Sequence, residues 1–211
     1  MDDLVTRVII VLPVVLISMS IHEMMHAFVS HWLGDDTAYL QGRVSLNPLR
    51  HIDPFLTVLL PILAVLTFGS PFGAAKPVQV NFNRLKFGEY GGAIVGMAGP
   101  LTNLVLAIIS GLIFRSLEPT STLGVEILAY AVAVNAGFFI FNSIPWPPLD
   151  GSRLLYAFAP YRLQRAMESV ERLGWNGLII FMVIVFTVLS VPLSNLITGL
   201  SNALLGGPVF G

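Results

Sequence analysis

His22-Glu23-Met24-Met25-His26 sets two imidazoles four residues apart with a carboxylate beside the first. On an α-helix those two positions lie one above the other on a single face, so both rings can reach one cation. That is the ligand spacing of a zinc hydrolase, in which the metal acidifies a water and the neighbouring Glu takes its proton. The setting is unusual for such chemistry. The motif lies inside an apolar stretch, residues 4–33, long enough to cross a bilayer. Ionisable groups in hydrocarbon are costly unless they have a function. Two buried histidines that merely bond neighbouring helices would leave Glu23, between them at this spacing, without a purpose.

Composition supports a membrane setting independently of the motif. Of the 211 residues 55% are apolar and only 11% charged, with a mean hydropathy of +0.81. A soluble domain is about 25% charged. The net charge of -1 offers nothing to a nucleic acid, and the absence of Cys leaves His, Asp and Glu as the metal ligands. No polar module or linker interrupts the chain, so residues 1–211 read as one membrane-embedded unit. Asp2 and Asp3 precede the first apolar stretch where a signal peptide would be basic, and cleavage would remove the His pair.

The reading is an all-α polytopic membrane protein with four transmembrane helices, at 4–33, 90–117, 123–144 and 175–191. A shorter apolar run, 55–68, contains Pro61; at 1.5 Å per residue it reaches roughly 21 Å, so it is expected to dip into the membrane and return. The alternation in Lys76-Pro77-Val78-Gln79-Val80-Asn81 predicts a small membrane-associated β-strand region. Residues 152–172 read as an Arg-bearing amphipathic helix at the interface. Residues 175–211 form the last span and an apolar tail that carries Ser194, Asn195, Ser201 and Asn202.

Charge sets the orientation. Arg43, Arg50, Lys76, Arg84 and Lys86 follow the first span, and Arg153, Arg162, Arg165 and Arg172 follow the third: nine of the eleven basic residues. Both connections are therefore expected in the cytoplasm, with the N-terminus outside and the His pair in the cytoplasmic half of its span. The third span then ends at the same depth, which makes Asp150 the best candidate for a third ligand. A helix cap is the competing role for that Asp, because a helix is expected to begin near Ser152. Glu89 and Glu126 are the other carboxylates weighed for the position, and this topology puts neither at the right depth.

Three segments resemble, in the family's own order, the signatures of site-2 proteases, the intramembrane zinc metalloproteases: His22-Glu23-Met24-Met25-His26, Gly99-Pro100-Leu101-Thr102-Asn103, and Asn142-Ser143-Ile144-Pro145-Trp146-Pro147-Pro148-Leu149-Asp150-Gly151. They span a catalytic core at 4–151. Residues 47–54 and 75–81 are similar to the compact prokaryotic branch, and no PDZ or CBS module is present. The resemblance implies that His22, His26 and Asp150 hold one Zn2+ per chain, and that Glu23 is the general base. It implies that Asn142 positions substrate or stabilises the oxyanion, with Gly99 and Asn103 supporting the site. It also implies that Lys76, Pro77, Val78, Gln79, Val80 and Asn81 bind an unwound segment of a transmembrane protein substrate, by strand addition.

Other roles stand beside these. Gly92, Gly96 and Gly99 have the spacing of a close helix contact, and Asn103 and Asn142 could bond neighbouring helices or cap an end. His31 and His51 read as interfacial residues. The alternative function is a membrane protein that binds or transports metal without hydrolysis. Substrate identity and oligomeric state, including a homo-oligomer, are left open by the sequence.

Overall fold

The computed structural model describes residues 3–53, 57, 75–117 and 122–208. Its longer helices are α1 (Asp3–Trp32), α2 (Glu89–Ser116), α3 (Thr122–Asn142), α4 (Gly151–Phe158), α5 (Tyr161–Arg172) and a composite α6. That last helix starts as Trp175–Ile184, widens into a π turn at Val185–Leu189 and continues as Ser190–Leu205. Four stretches are long and apolar enough to cross a membrane: Val8–Trp32, Glu89–Ser116, Leu123–Asn142 and Ile179–Leu205. Apart from Thr57, the expected re-entrant run, 55–68, lies outside the described residues.

Helix α2 is the pivot, packed against α1, α3, α4 and the end of α6. Small residues make this closeness available, because in lipid it is backbone approach and van der Waals contact that hold helices together. A Cβ on Gly96 would sit 2.7 Å from Arg153 Cβ and 2.9 Å from the Asp150 carbonyl oxygen, and one on Gly111 would sit 2.9 Å from the Leu204 carbonyl. Large apolar side chains such as Leu12, Ile17, Val105, Leu112 and Val188 point outward. Ser18, His22, His26, Asn103 and Asn135 are buried instead. The protein is thus apolar outside and polar within, the pattern hydrocarbon demands.

The chain leaving α1 builds a polar knot beneath the helices. Asp35 is fully buried, and its carboxylate accepts from the Thr37 N–H and hydroxyl at 3.1 and 2.5 Å and from the Asn81 N–H at 2.7 Å. Arg43, also buried, donates to the carbonyls of Arg50 and Lys76. The Lys76 N–H in turn donates to the His51 carbonyl at 2.8 Å. Segment 76–81 is therefore anchored at both ends to the loop after α1.

Those anchors correct the strand expected there. The alternation was legible as conformation: Val78 and Val80 turn inward, Val80 packing on Leu33, Leu85 and Val95, while Lys76, Pro77 and Gln79 are exposed. Yet no strand occurs among the described residues. Its terminal backbone groups are taken by Asp35, Arg43 and His51 rather than by a neighbouring chain, and Pro77 has no N–H to give.

Two further boundaries differ from expectation. The helix expected over 152–172 is two helices, because Pro160 holds Ala159 extended (φ -73°, ψ 140°). The final span runs to Leu205 instead of stopping before Pro192. A proline ring clashes with the carbonyl four residues earlier. Here that residue is Val188, inside the wide π turn. The helix ends at Gly206, whose left-handed backbone (φ 84°) suits glycine.

Burial opposes ionisation of Asp35, but the hydrogen bonds from Thr37 and Asn81 outweigh it and hold the carboxyl below its usual range. Its contribution is therefore complete above the unfolded value, about 3.9, and is lost as pH falls through the lower folded value. Asp35→Asn is expected to cost about 1–3 kcal/mol at neutral pH. It should also flatten the fall in thermal midpoint on acidification, and a fall equal to that of the wild type would contradict this assignment.

Candidate metal centre

Helix α1 carries His22 and His26 on the face turned toward α2, both buried and edge-to-face with ring centroids 4.7 Å apart. Their Nε2 atoms are 3.0 Å apart, and Asp150 Oδ2 lies 3.1 Å from the first and 3.3 Å from the second. Ligands at about 2.0–2.1 Å from a tetrahedral zinc are separated by about 3.3 Å, so the three atoms have the spacing of one coordination sphere. They form a group able to hold a metal ion among the described residues.

The opposite ring nitrogens decide which way the lone pairs face. His22 Nδ1–H donates to Asn103 Oδ1 at 2.5 Å, and His26 Nδ1–H donates to the Val95 carbonyl at 2.7 Å. With the proton on Nδ1, each neutral imidazole presents a bare Nε2 to the same point, the tautomer a ligand needs. Space is provided as well. A Cβ on Gly99 would stand 2.5 Å from both Nε2 atoms, close to where a cation must sit. Gly99, expected as a supporting residue or a close helix contact, leaves that volume open. The donor set and the opening both fit zinc.

Asp150 arrives by a braced loop. Helix α3 ends at Asn142, and the Pro-rich chain that follows is held by Phe181 of α6, which stacks on Trp146 at 6.2 Å and meets Phe141 at 5.9 Å. Phe181 is almost fully buried. Gly151 lets the turn close on the backbone of Ser143 and Ile144, where a Cβ would overlap. Asp150 opens α4 with helical backbone angles, but its side chain makes no capping bond and reaches the imidazoles instead. Its carboxylate is the anionic member of the donor set.

The other expected residues are placed as follows. Glu23 is half-buried beside the ligands, and its charge bears on Arg43 and His51. Asn103 joins the centre through His22, whereas Asn142 donates to the Phe138 carbonyl of its own helix at 3.0 Å. Lys76, Pro77, Val78, Gln79, Val80 and Asn81 form the anchored extended segment, with the Gln79 side chain accepting from Gln41 at 2.8 Å. Glu89 and Glu126 are exposed and outside the cluster. His31 is at the surface, 2.5 Å from Asp36 and stacked on Tyr39. His51 departs from its interfacial reading. It is fully buried, bonded through Nε2 to the Ser45 carbonyl at 2.7 Å, because the loop after α1 folds over it.

Sequence reasoning passed over Asn135, Ser18 and Asp35, and read Arg43 only as a charge that sets the orientation. For the first, a polar side chain inside an apolar span was signal enough. Asp35 and Arg43 carried none, since charged loop residues are ordinarily solvated.

Comparison with known proteins gives related chains. The sequence is 36% identical over 185 residues to "Putative zinc metalloprotease YwhC" of Bacillus subtilis (strain 168), covering 82% of this chain and 78% of that protein. It is 29% identical over 177 residues to "Putative zinc metalloprotease Rip2" of Mycolicibacterium smegmatis, covering 83% of this chain and 66% of that one. It is 30% identical over 134 residues to "Putative zinc metalloprotease MJ0611" of Methanocaldococcus jannaschii, covering 64% and 62%. No family model matches, and no solved structure does.

A methyl group at position 99 should exclude the cation while leaving its donors in place. Gly99→Ala is expected to lower zinc per chain, measured by mass spectrometry on purified protein, by about tenfold or more, comparable to losing a ligand's support. Asp150→Ala should lower it severalfold. Unchanged stoichiometry in either variant would remove that residue from the centre.

Proposed function

The chain belongs to the site-2 protease-like family of zinc metalloproteases, and from that membership we propose that it is an intramembrane endopeptidase. It hydrolyses a peptide bond within or near a transmembrane segment of another membrane protein. The observation that carries this reading is the meeting of two Nε2 lone pairs and one carboxylate among helices of membrane-spanning length.

His22, His26 and Asp150 would hold one zinc ion. Bound there, zinc supplies Lewis acidity that makes water acidic enough to lose a proton near neutral pH. Glu23, next to the first ligand on α1, accepts that proton and returns it to the departing amine. Asn142 would serve the developing oxyanion or the substrate backbone once its amide turns away from Phe138. A peptide bond inside a substrate helix is shielded, so the helix must unwind before it is cut. The freed N–H and C=O groups then need partners within the membrane. The extended segment 76–81, fixed at its ends and without backbone hydrogen bonds along its middle among the described residues, is suited to supply them.

The basic residues after the first and third spans favour a cytoplasmic position for the site and an external N-terminus, in a multi-pass protein of the cell membrane. Water, substrate and lipid thus meet near the inner face.

The decisive variant is Glu23→Gln. It should keep zinc at the wild-type level and lower cleavage of a reconstituted transmembrane substrate by about 10²–10⁴-fold, the usual range for a general base. Retained cleavage would refute the role of Glu23, and metal uptake into vesicles without cleavage by the wild type would identify a carrier. Chelation should abolish cleavage in the wild type, and added zinc should restore it.

A further inference from the structure

Behind His22 lies a hydrogen-bond chain through three helices, with every member buried. His22 Nδ1–H donates to Asn103 Oδ1 at 2.5 Å, Asn103 Nδ2 donates to Asn135 Oδ1 at 2.7 Å, and Asn135 Nδ2 donates to Ser18 Oγ at 2.9 Å and to the Ala131 carbonyl at 2.9 Å. Ser18 and His22 belong to α1, Asn103 to α2, Asn135 to α3. Exposure is 4%, 6%, 0% and 2% respectively, so water cannot substitute for a missing partner.

The directions of these bonds follow from one end. A carbonyl can only accept, so the Ala131 oxygen requires the NH2 side of the Asn135 amide. The oxygen of Asn135 must then face Asn103, which turns the Asn103 NH2 toward it and the Asn103 oxygen toward His22. An oxygen acceptor at Nδ1 keeps the imidazole proton there and leaves Nε2 bare. Were Asn103 reversed, its NH2 would meet Nδ1, the proton would move to Nε2, and His22 could not bind a cation. Among the described residues one other acceptor holds the Asn103 NH2, the Ser18 carbonyl at 3.5 Å, at the limit of a hydrogen bond.

We propose that Asn135 is a positioning residue for the metal centre: by fixing the orientation of the Asn103 amide, it sets the tautomer of His22 and thereby its capacity to ligate zinc. This rests on the metal-site reading above. It assigns a role on α3 to a residue in none of the motif segments.

The test is the zinc dissociation constant of the full-length, detergent-solubilised protein, measured by chelator competition, with the cobalt-substituted visible spectrum as a second readout. Asn135→Leu removes the acceptor and lets Asn103 reverse; it should weaken zinc binding about 10–100-fold, the range for loss of an outer-shell partner. Asn135→Asp, entering this buried position as the neutral carboxylic acid, accepts from Asn103 through its carbonyl oxygen and donates its O–H to the Ala131 carbonyl; it should stay within about threefold of the wild type, with an unchanged cobalt spectrum. Asn103→Asp presents oxygen on both sides and cannot be misoriented. In that background Asn135→Leu should cost nothing further, a coupling that loss of packing alone would not produce. Failure of the wild type to bind zinc would sink the metal site itself. Three results with a binding wild type overturn the role of Asn135 alone: tight binding by Asn135→Leu, equal losses in Leu and Asp, or additive losses with Asn103→Asp. If Asn135→Leu does not fold, as judged by thermal melting, the Asn135→Asp result and the cobalt spectrum decide.

Discussion

A polar group in hydrocarbon has to find its partner inside the protein, and that constraint organises this molecule. The groups behind His22 are buried from bulk solvent, so each donor and acceptor there must be matched by another side chain or by a carbonyl. The matching is why α1, α2 and α3 cannot rotate independently about their axes. Asn103 sits between His22 and Asn135, and Val95 offers its carbonyl to His26. The apolar exterior supplies no comparable specificity, since lipid is as good a neighbour for Leu112 as another leucine would be.

The same constraint explains the glycines of α2. Fixed bonding partners on three sides demand close axes, and close axes demand residues without side chains at the contacts. Gly96 admits the start of α4, Gly111 admits the end of α6, and Gly99 keeps open the volume between the two imidazoles. One helix thereby serves as spacer, hydrogen-bond donor and wall of the centre.

How much of this the sequence disclosed depends on the range of the interaction. The four spans were readable because each is a local excess of apolar residues, and their observed positions, Val8–Trp32, Glu89–Ser116, Leu123–Asn142 and Ile179–Leu205, depart from expectation mainly at the last. The proximity of His22 and His26 follows from helical periodicity alone. Asp150 needed one more step, the charge-based topology, and the fold does bring it to the imidazoles. Segment 76–81 was legible in conformation and misread in pairing, because alternation reports which side chains turn inward and says nothing about what the backbone meets. Helix rotation was out of reach. Without it, Gly99 is marked only by its family-like motif and its helix-packing spacing, Asn135 is a polar side chain in an apolar span whose partner cannot be named, and the burial of His51 beneath its loop leaves no local trace.

The two imidazoles and the carboxylate stand 128 positions apart in the chain between His22 and Asp150. During synthesis the first span must therefore wait in the bilayer, its paired rings incomplete, until two more spans and the Pro-rich turn have been threaded. A nascent fragment lacks the third donor and has no complete cage for a cation. The order of residues along the polypeptide thus keeps the donor set incomplete until most of the chain has been made.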